Sequence, residues 1–179
     1  MDFREITEFF KDMFVYIVVI IAILFTALYV VTIQQVVGPS MDDTLKNGDL
    51  LLLDRLTYRF SQIKRNDIVA IYYADTKYMI KRVIGLPGEV VTFKNNVLYI
   101  NNEATPEPYL AEGVVTGDFS LSEIGYSVIP EDMYFVLGDN RGDSMDSRDM
   151  RVGLIKKESF LGKIRARFWP LNKFKLIKK

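Results

Sequence analysis

From Met13 to Ile33 the chain reads MFVYIVVIIAILFTALYVVTI, and no charged residue follows until Asp42. Beyond that point the hydrophobic residues come in short runs broken by turn residues, so the two stretches predict different structures. An unbroken run of this length covers the roughly 20 residues that cross a hydrocarbon core as a helix. It predicts one transmembrane anchor over 13–35, behind a short segment 1–12. Two other readings fit less well. A cleaved secretory signal has an apolar core of about 7 to 15 residues ending at a small-residue site, whereas this run is longer and leads into Gln34-Gln35-Val36-Val37. A core helix of a soluble protein carries a polar face at helical spacing, and none interrupts this one. The flanking Asp2, Arg4, Glu5, Glu8, Lys11 and Asp12 mix both signs, so charge bias leaves the orientation of the anchor open.

The rest of the chain has the periodicity of strands. Asp49 to Leu53 is one, and Asp67 to Tyr73 and Tyr78 to Ile84 flank Ala74-Asp75-Thr76-Lys77 as the arms of a hairpin would. Leu86-Pro87-Gly88 turns the chain, Glu89 to Lys94 and Val97 to Asn101 flank Asn95-Asn96, and Met133 to Leu137 and Gly162 to Phe168 add further strands. Segment 36–179 is about 140 residues, enough for one all-β domain of antiparallel sheets with a small inserted lobe around 95–132. Such a sheet can bury one face and offer an edge to an extended peptide, which main-chain hydrogen bonds hold while alternate side chains enter pockets.

Charge is balanced overall, 23 Lys plus Arg against 23 Asp plus Glu, but it is segregated. Asn95 to Ile129 contains Glu103, Glu107, Glu112, Asp118 and Glu123 with no basic residue, while Lys156 to Lys179 carries nine basic residues against Glu158. Beside a membrane, a basic tail can meet anionic lipid headgroups at about 1 kcal/mol per residue. Lysines also protect strand edges from aggregation, and both readings stand for this tail. Nothing supplies metal-ligand spacing, a phosphate-cradling glycine loop or an internal repeat, so no metal, cofactor or nucleic-acid partner is predicted.

Candidate chemistry is narrowed by what is missing. The chain has no histidine and no cysteine, which removes the Ser-His-Asp arrangement and thiol chemistry together. Ser40, in Val36-Val37-Gly38-Pro39-Ser40-Met41, stands just past the apolar run, where a nucleophile would be held at a membrane surface, and lysine is the remaining common base. On the strand Tyr78 to Ile84, Lys81 shares a face with Met79 and Val83, while Ile80, Arg82 and Ile84 point the other way. Desolvation among apolar neighbours lowers a lysine's pKa and frees an amine to act as a base. A surface lysine that snorkels to water fits the same alternation. After the strand ending at Leu137, Gly138-Asp139-Asn140-Arg141-Gly142-Asp143-Ser144-Met145-Asp146-Ser147-Arg148 is dense enough in Gly, Asp, Asn and Ser to be a loop.

GPSM, YMIKRVIGLPGE and GDNRGDSMDSR, taken in this order and rough spacing, resemble the motifs of bacterial type I signal peptidases, membrane-anchored serine proteases with a Ser/Lys dyad. Leu45-Lys46-Asn47-Gly48-Asp49, Leu98-Tyr99-Ile100-Asn101, Glu107-Pro108-Tyr109 and Phe168-Trp169-Pro170-Leu171 extend the likeness along nearly the whole chain after the apolar run. The resemblance implies an all-β, signal-peptidase-like catalytic domain with Ser40 as nucleophile and Lys81 as general base. It makes Ser144 the hydroxyl that orients the lysine. Asp146, Arg148 and Arg82 would brace the site, Asp139 and Asn140 would shape the loop, and Met41, Leu45, Met79 and Ile80 would line the pocket for the small residue before the scissile bond. Substrates would be signal-peptide-bearing preproteins cut after Ala-X-Ala or similar patterns, and lipid would be the second partner. The oxyanion donor would be the Ser40 N-H, because Gly38 has no hydroxyl to add. Signal peptides are cut after crossing the membrane, so the domain would lie outside the cytoplasm, on a single-pass type II anchor.

Two positions depart from the family's common pattern. Asp43 stands where a proline is usual, and Gly142-Asp143 where Asp-Asn is usual. These departures leave room for a specialised relative devoted to pilin or surface-protein precursors, and for an assembly factor that binds such segments without efficient cleavage. Self-cleaving SOS-response repressors share a related Ser/Lys fold, but the apolar run and the lack of an N-terminal DNA-binding helix pair argue against them.

Overall fold

The computed structural model describes residues 3–74 and 77–177. Helix α1 spans Phe3–Phe25, a wider π turn follows at Thr26–Val30, and the chain then enters β1, Val31–Gln35. The helix predicted through the whole apolar run therefore stops at Phe25. Val31-Thr32-Ile33 is β-branched, and β1 pairs antiparallel with β2, Leu50–Asp54, from Val31 opposite Asp54 to Gln35 opposite Leu50. Among the described residues no helix is long and apolar enough to cross a membrane. The uncharged part of α1, from Met13 to Phe25, rises only about 20 Å at about 1.5 Å per residue, against a hydrocarbon core of about 30 Å.

A short helix α2 covers Thr57–Phe60, and the remaining strands are β3 Ile68–Ala74, β4 Lys77–Gly85, β5 Val91–Lys94, β6 Val97–Ile100, β7 Glu103–Thr105, β8 Phe119–Ser120, β9 Met133–Leu137, β10 Ile155–Lys156, β11 Phe160–Trp169 and β12 Lys175–Leu176. Two residues of the predicted hairpin tip, Asp75 and Thr76, lie outside the described residues. The main sheet runs β1-β2-β11-β3-β4-β9-β10 with β12 added to β11, and a four-stranded sheet β7-β6-β5-β8 is inserted between β4 and β9. Every pairing is antiparallel, as the sequence predicts for the fold class.

Strand alternation sorts the core. Ile80 packs with Val36, Met41, Leu45, Leu51, Leu53, Ile68 and Ile164, whereas Val83 packs with Ile63, Val69, Ile71, Tyr134 and Val136. A third cluster joins Ile84, Phe135 and Leu137 of the main sheet to Val91, Phe93, Leu98 and Phe119 of the inserted one. Each fully buried side chain of this kind contributes about 1.5–3 kcal/mol. Along β11, Lys163, Arg165 and Arg167 recur at the strand period and pair with Asp67, Asp54 and Asp49. These three basic residues of the C-terminal stretch are thereby held in ion pairs within the domain.

Candidate active site

Ser40 sits on one helical turn driven into the core. Asp42 N donates to Pro39 O and Leu45 N to Met41 O, while Met41 and Leu45, four residues apart, are both buried. Two backbone features set its entry and exit. Gly38 has φ +87°, which a side chain would strain, and its N-H donates to Asn47 Oδ1 at 3.0 Å. Asp43 has φ +75°, a left-handed conformation aspartate tolerates and proline, fixed near −65°, cannot enter. The turn after Ser40 thus differs in backbone from one built on proline.

Lys81 is central on β4, opposite Val69 of β3, and only 2% exposed. Its Nζ donates to Ser144 Oγ at 3.0 Å. Burial lowers its pKa from 10.5 to about 8; Asp146 and Asp139 pull it back up and Arg148 adds to the lowering. The buried alternative, not the snorkelling one, is what the fold selects.

Gly138 brings the pieces together. A Cβ there would stand 2.2 Å from Ser144 Oγ and 2.3 Å from the Ser40 carbonyl oxygen, so both serines rest against its bare Cα. Asn140 ties down the same turn, its backbone N donating to Ser40 O at 3.1 Å and its side-chain Nδ2 to Pro39 O at 3.2 Å. Ser40, Ser144 and Lys81 therefore converge at the end of β9, although no hydrogen bond within 3.5 Å joins Ser40 to Lys81 among the described residues.

The charged residues of the loop fall into two pairs. Arg148 grips Asp146 through Nε and Nη2, both at 2.9 Å, and Asp146 Oδ2 accepts from Gly138 N at 3.1 Å. Arg82, on the opposite face of β4 from Lys81, donates to Asp139 through Nε at 2.8 Å and Nη2 at 2.6 Å; Thr44 Oγ1 also donates to Asp139 at 2.6 Å. Of the predicted pocket residues, Met41, Leu45 and Ile80 share one apolar cluster, while Met79 packs on the other face, beside the Lys81 side.

The family described as signal peptidase, peptidase S26, matches residues 6–169. The chain belongs to this family. It is 40% identical over 155 residues to signal peptidase I of Bacillus caldolyticus, covering 82% of this chain and 84% of that one. It is 36% identical over 159 residues to signal peptidase IB of Staphylococcus aureus, covering 82% of each. A crystal structure of a signal peptidase I from Enterococcus faecalis superposes with a TM-score of 0.51 at 36% identity, over 57% of this chain and 97% of that one. The reaction class read from the sequence, signal-peptide cleavage by a serine endopeptidase of this family, is borne out.

Sequence reasoning assigned no role to Arg141, Glu107 or Thr116. Arg141, 3% exposed, donates to Gly138 O, to both carboxylate oxygens of Glu107 and to Thr116 Oγ1. Tyr109 lies 3.8 Å beneath the Arg82 guanidinium. Glu107 and Tyr109 stand in a quoted family stretch, yet no local pattern pairs residues 34 positions apart.

Proposed function

We propose that the chain is a membrane-held signal peptidase in which Ser40 attacks the scissile carbonyl and Lys81 is its general base. The observation that carries this is the 3.0 Å bond from Lys81 Nζ to Ser144 Oγ, made by a buried amine whose pKa burial has lowered to about 8. Neutral Nζ takes the Ser40 proton as Oγ bonds to the carbonyl carbon. The protonated amine returns that proton to the leaving nitrogen, which departs as the new amino terminus. Water then loses its proton to Nζ and attacks the acyl-serine ester; as the ester bond breaks, Nζ returns that proton to Ser40 Oγ, which frees the signal peptide's carboxyl group and restores both dyad residues. Ser144 fixes the amine's direction, and Asp146, Arg148, Arg82, Asp139 and Asn140 hold the loop that carries it. The Ser40 N-H, which donates to no group among the described residues, is the proposed oxyanion donor.

The substrate would lie extended along β4. Pairing of β4 with β9 begins only at Arg82 opposite Leu137, so Met79 to Lys81 pair with β3 alone and leave one edge free. Tyr78 Oη donates to Gln35 O at 2.9 Å, which keeps that edge beside the segment leading to Ser40. Met41, Leu45 and Ile80 would accept a small residue, giving Ala-X-Ala specificity, while Met79, whose side chain packs on the other face, would offer only its backbone edge.

The test compares wild type, Ser40→Ala and Lys81→Ala on a precursor ending in Ala-X-Ala, in detergent micelles. Each variant should lose at least about a thousandfold in rate while staying folded. Near wild-type cleavage by either would remove its residue from the dyad. A wild type that binds pilin or surface-protein precursors without cutting any would favour the assembly-factor reading.

A further inference from the structure

The acidic segment 106–118 of the inserted sheet reaches across to the loop that carries Ser144. Its Glu107 holds Arg141 through Nη2 at 2.5 Å and Nη1 at 3.1 Å, and Thr116 Oγ1 accepts from the same Nη1 at 2.9 Å. The Arg141 side chain is fully buried, so this grip is made away from water. From there the contacts run inward. Arg141 Nε donates to Gly138 O at 3.0 Å, while Arg148 Nη2 donates to Arg141 O at 2.8 Å and Arg148 Nη1 to Thr116 O at 3.2 Å. Gly138 is the residue on which Ser40 and Ser144 rest. A displacement of Arg141 therefore moves Gly138 and Arg148 together.

We propose that Glu107 and Thr116 form a strap, closed through Arg141, that positions the loop Gly138 to Arg148 against Lys81; they are positioning residues, since they touch neither member of the dyad. This rests on the reading of Ser40 and Lys81 given above. Charged groups facing Lys81 are Asp146, Arg148 and Asp139, all on the strapped loop, while its neighbour on β3 is Val69. With burial as the main cause of the lowered Lys81 pKa, loosening the loop admits water and raises it.

Full-length Glu107→Gln and Thr116→Val proteins in detergent micelles test this beside wild type. The measurements are thermal melting, kcat and KM on a fluorogenic Ala-X-Ala peptide, and the pH midpoint of Lys81 acylation by an amine-reactive reagent, read by mass spectrometry. Each folded variant should lose about tenfold or more in kcat with KM within about twofold. Its acylation midpoint and the acid limb of its rate profile should move up together by about one pH unit. Because Glu107→Gln leaves Arg141 buried without its carboxylate, the double variant Glu107→Gln/Arg141→Met removes both charges. It should show the same shift in a folded protein. Folded variants with wild-type kcat and midpoint overturn the strap. Acylation needs no turnover, so it decides the matter even if wild type cuts no peptide, a result that would count against the peptidase reading instead.

Discussion

Lys81 is a buried amine whose titration couples stability to pH. Its folded pKa of about 8 lies below the unfolded value of 10.5, so the unfolded chain binds more protons between those values and stability rises with pH across that window. Below about pH 8 the protonated amine is a standing cost to the fold. Lys81→Met, which keeps the volume and drops the charge, should stabilise the protein near pH 7 by about 1–3 kcal/mol while abolishing cleavage. Melting curves at pH 7 and pH 10 check this: the gain over wild type should shrink at the higher pH, and a variant less stable than wild type at pH 7 would contradict it. The catalytic rate should rise through about pH 8 as the amine loses its proton. At this scale the coming together of Ser40, Lys81 and Ser144 was legible because each stands in a dense local motif, and the missing histidine and cysteine left few alternatives. The Glu107–Arg141 pair was not, because it joins residues 34 positions apart that only the folded chain buries side by side.

Elements were legible where alternation was long enough to read. β3, β4, β9 and β11 fall within a few residues of their predicted limits, while β7, β8, β10 and β12 are two or three residues long and carry no period to detect. β1 was absorbed into the apolar run, since Val31, Thr32 and Ile33 continue that run without a charge or a turn residue to mark where the helix gives way to a strand. What separates them is a partner, and β2 supplies it. The junction of β9 with its loop carries the sharpest structural prediction. Gly138→Ala places a methyl group 2.3 Å from a backbone oxygen of the nucleophile turn, which cannot swing aside as a side-chain tip can. Ser40 or Ser144 must shift, and a misplacement of about 1 Å can cost about a hundredfold in rate. Cleavage assays of this variant beside Gly142→Ala, where a Cβ meets nothing within 4 Å, separate close approach from a general effect of stiffening the loop. Equal activities would show that Gly138 is not the seat on which the serines are aligned.

At the scale of the whole molecule the unexplained surface is α1. Phe14, Tyr16, Ile21, Ile23 and Phe25, spread around the helix, are each more than half exposed, a distribution that water penalises and a lipid phase does not. The polar Arg4, Glu8, Lys11 and Asp12 gather at its other end, as they would at an interface. We expect this segment, although α1 alone is too short to cross, to hold the protein in the membrane with the N-terminus inside, the π turn at Thr26–Val30 lengthening it and local thinning of the bilayer meeting the remaining mismatch. In that arrangement β1 would start the domain at the outer surface, leaving Ser40 only a short stretch of chain away. That placement suits a substrate whose cleavage site emerges from the bilayer. Protease added to intact spheroplasts should digest the domain from about Gly38 onward and spare α1, whereas both should be reached once the membrane is opened. A domain protected in intact spheroplasts would place Ser40 on the wrong side for exported precursors, and would overturn the orientation and the proposed function together.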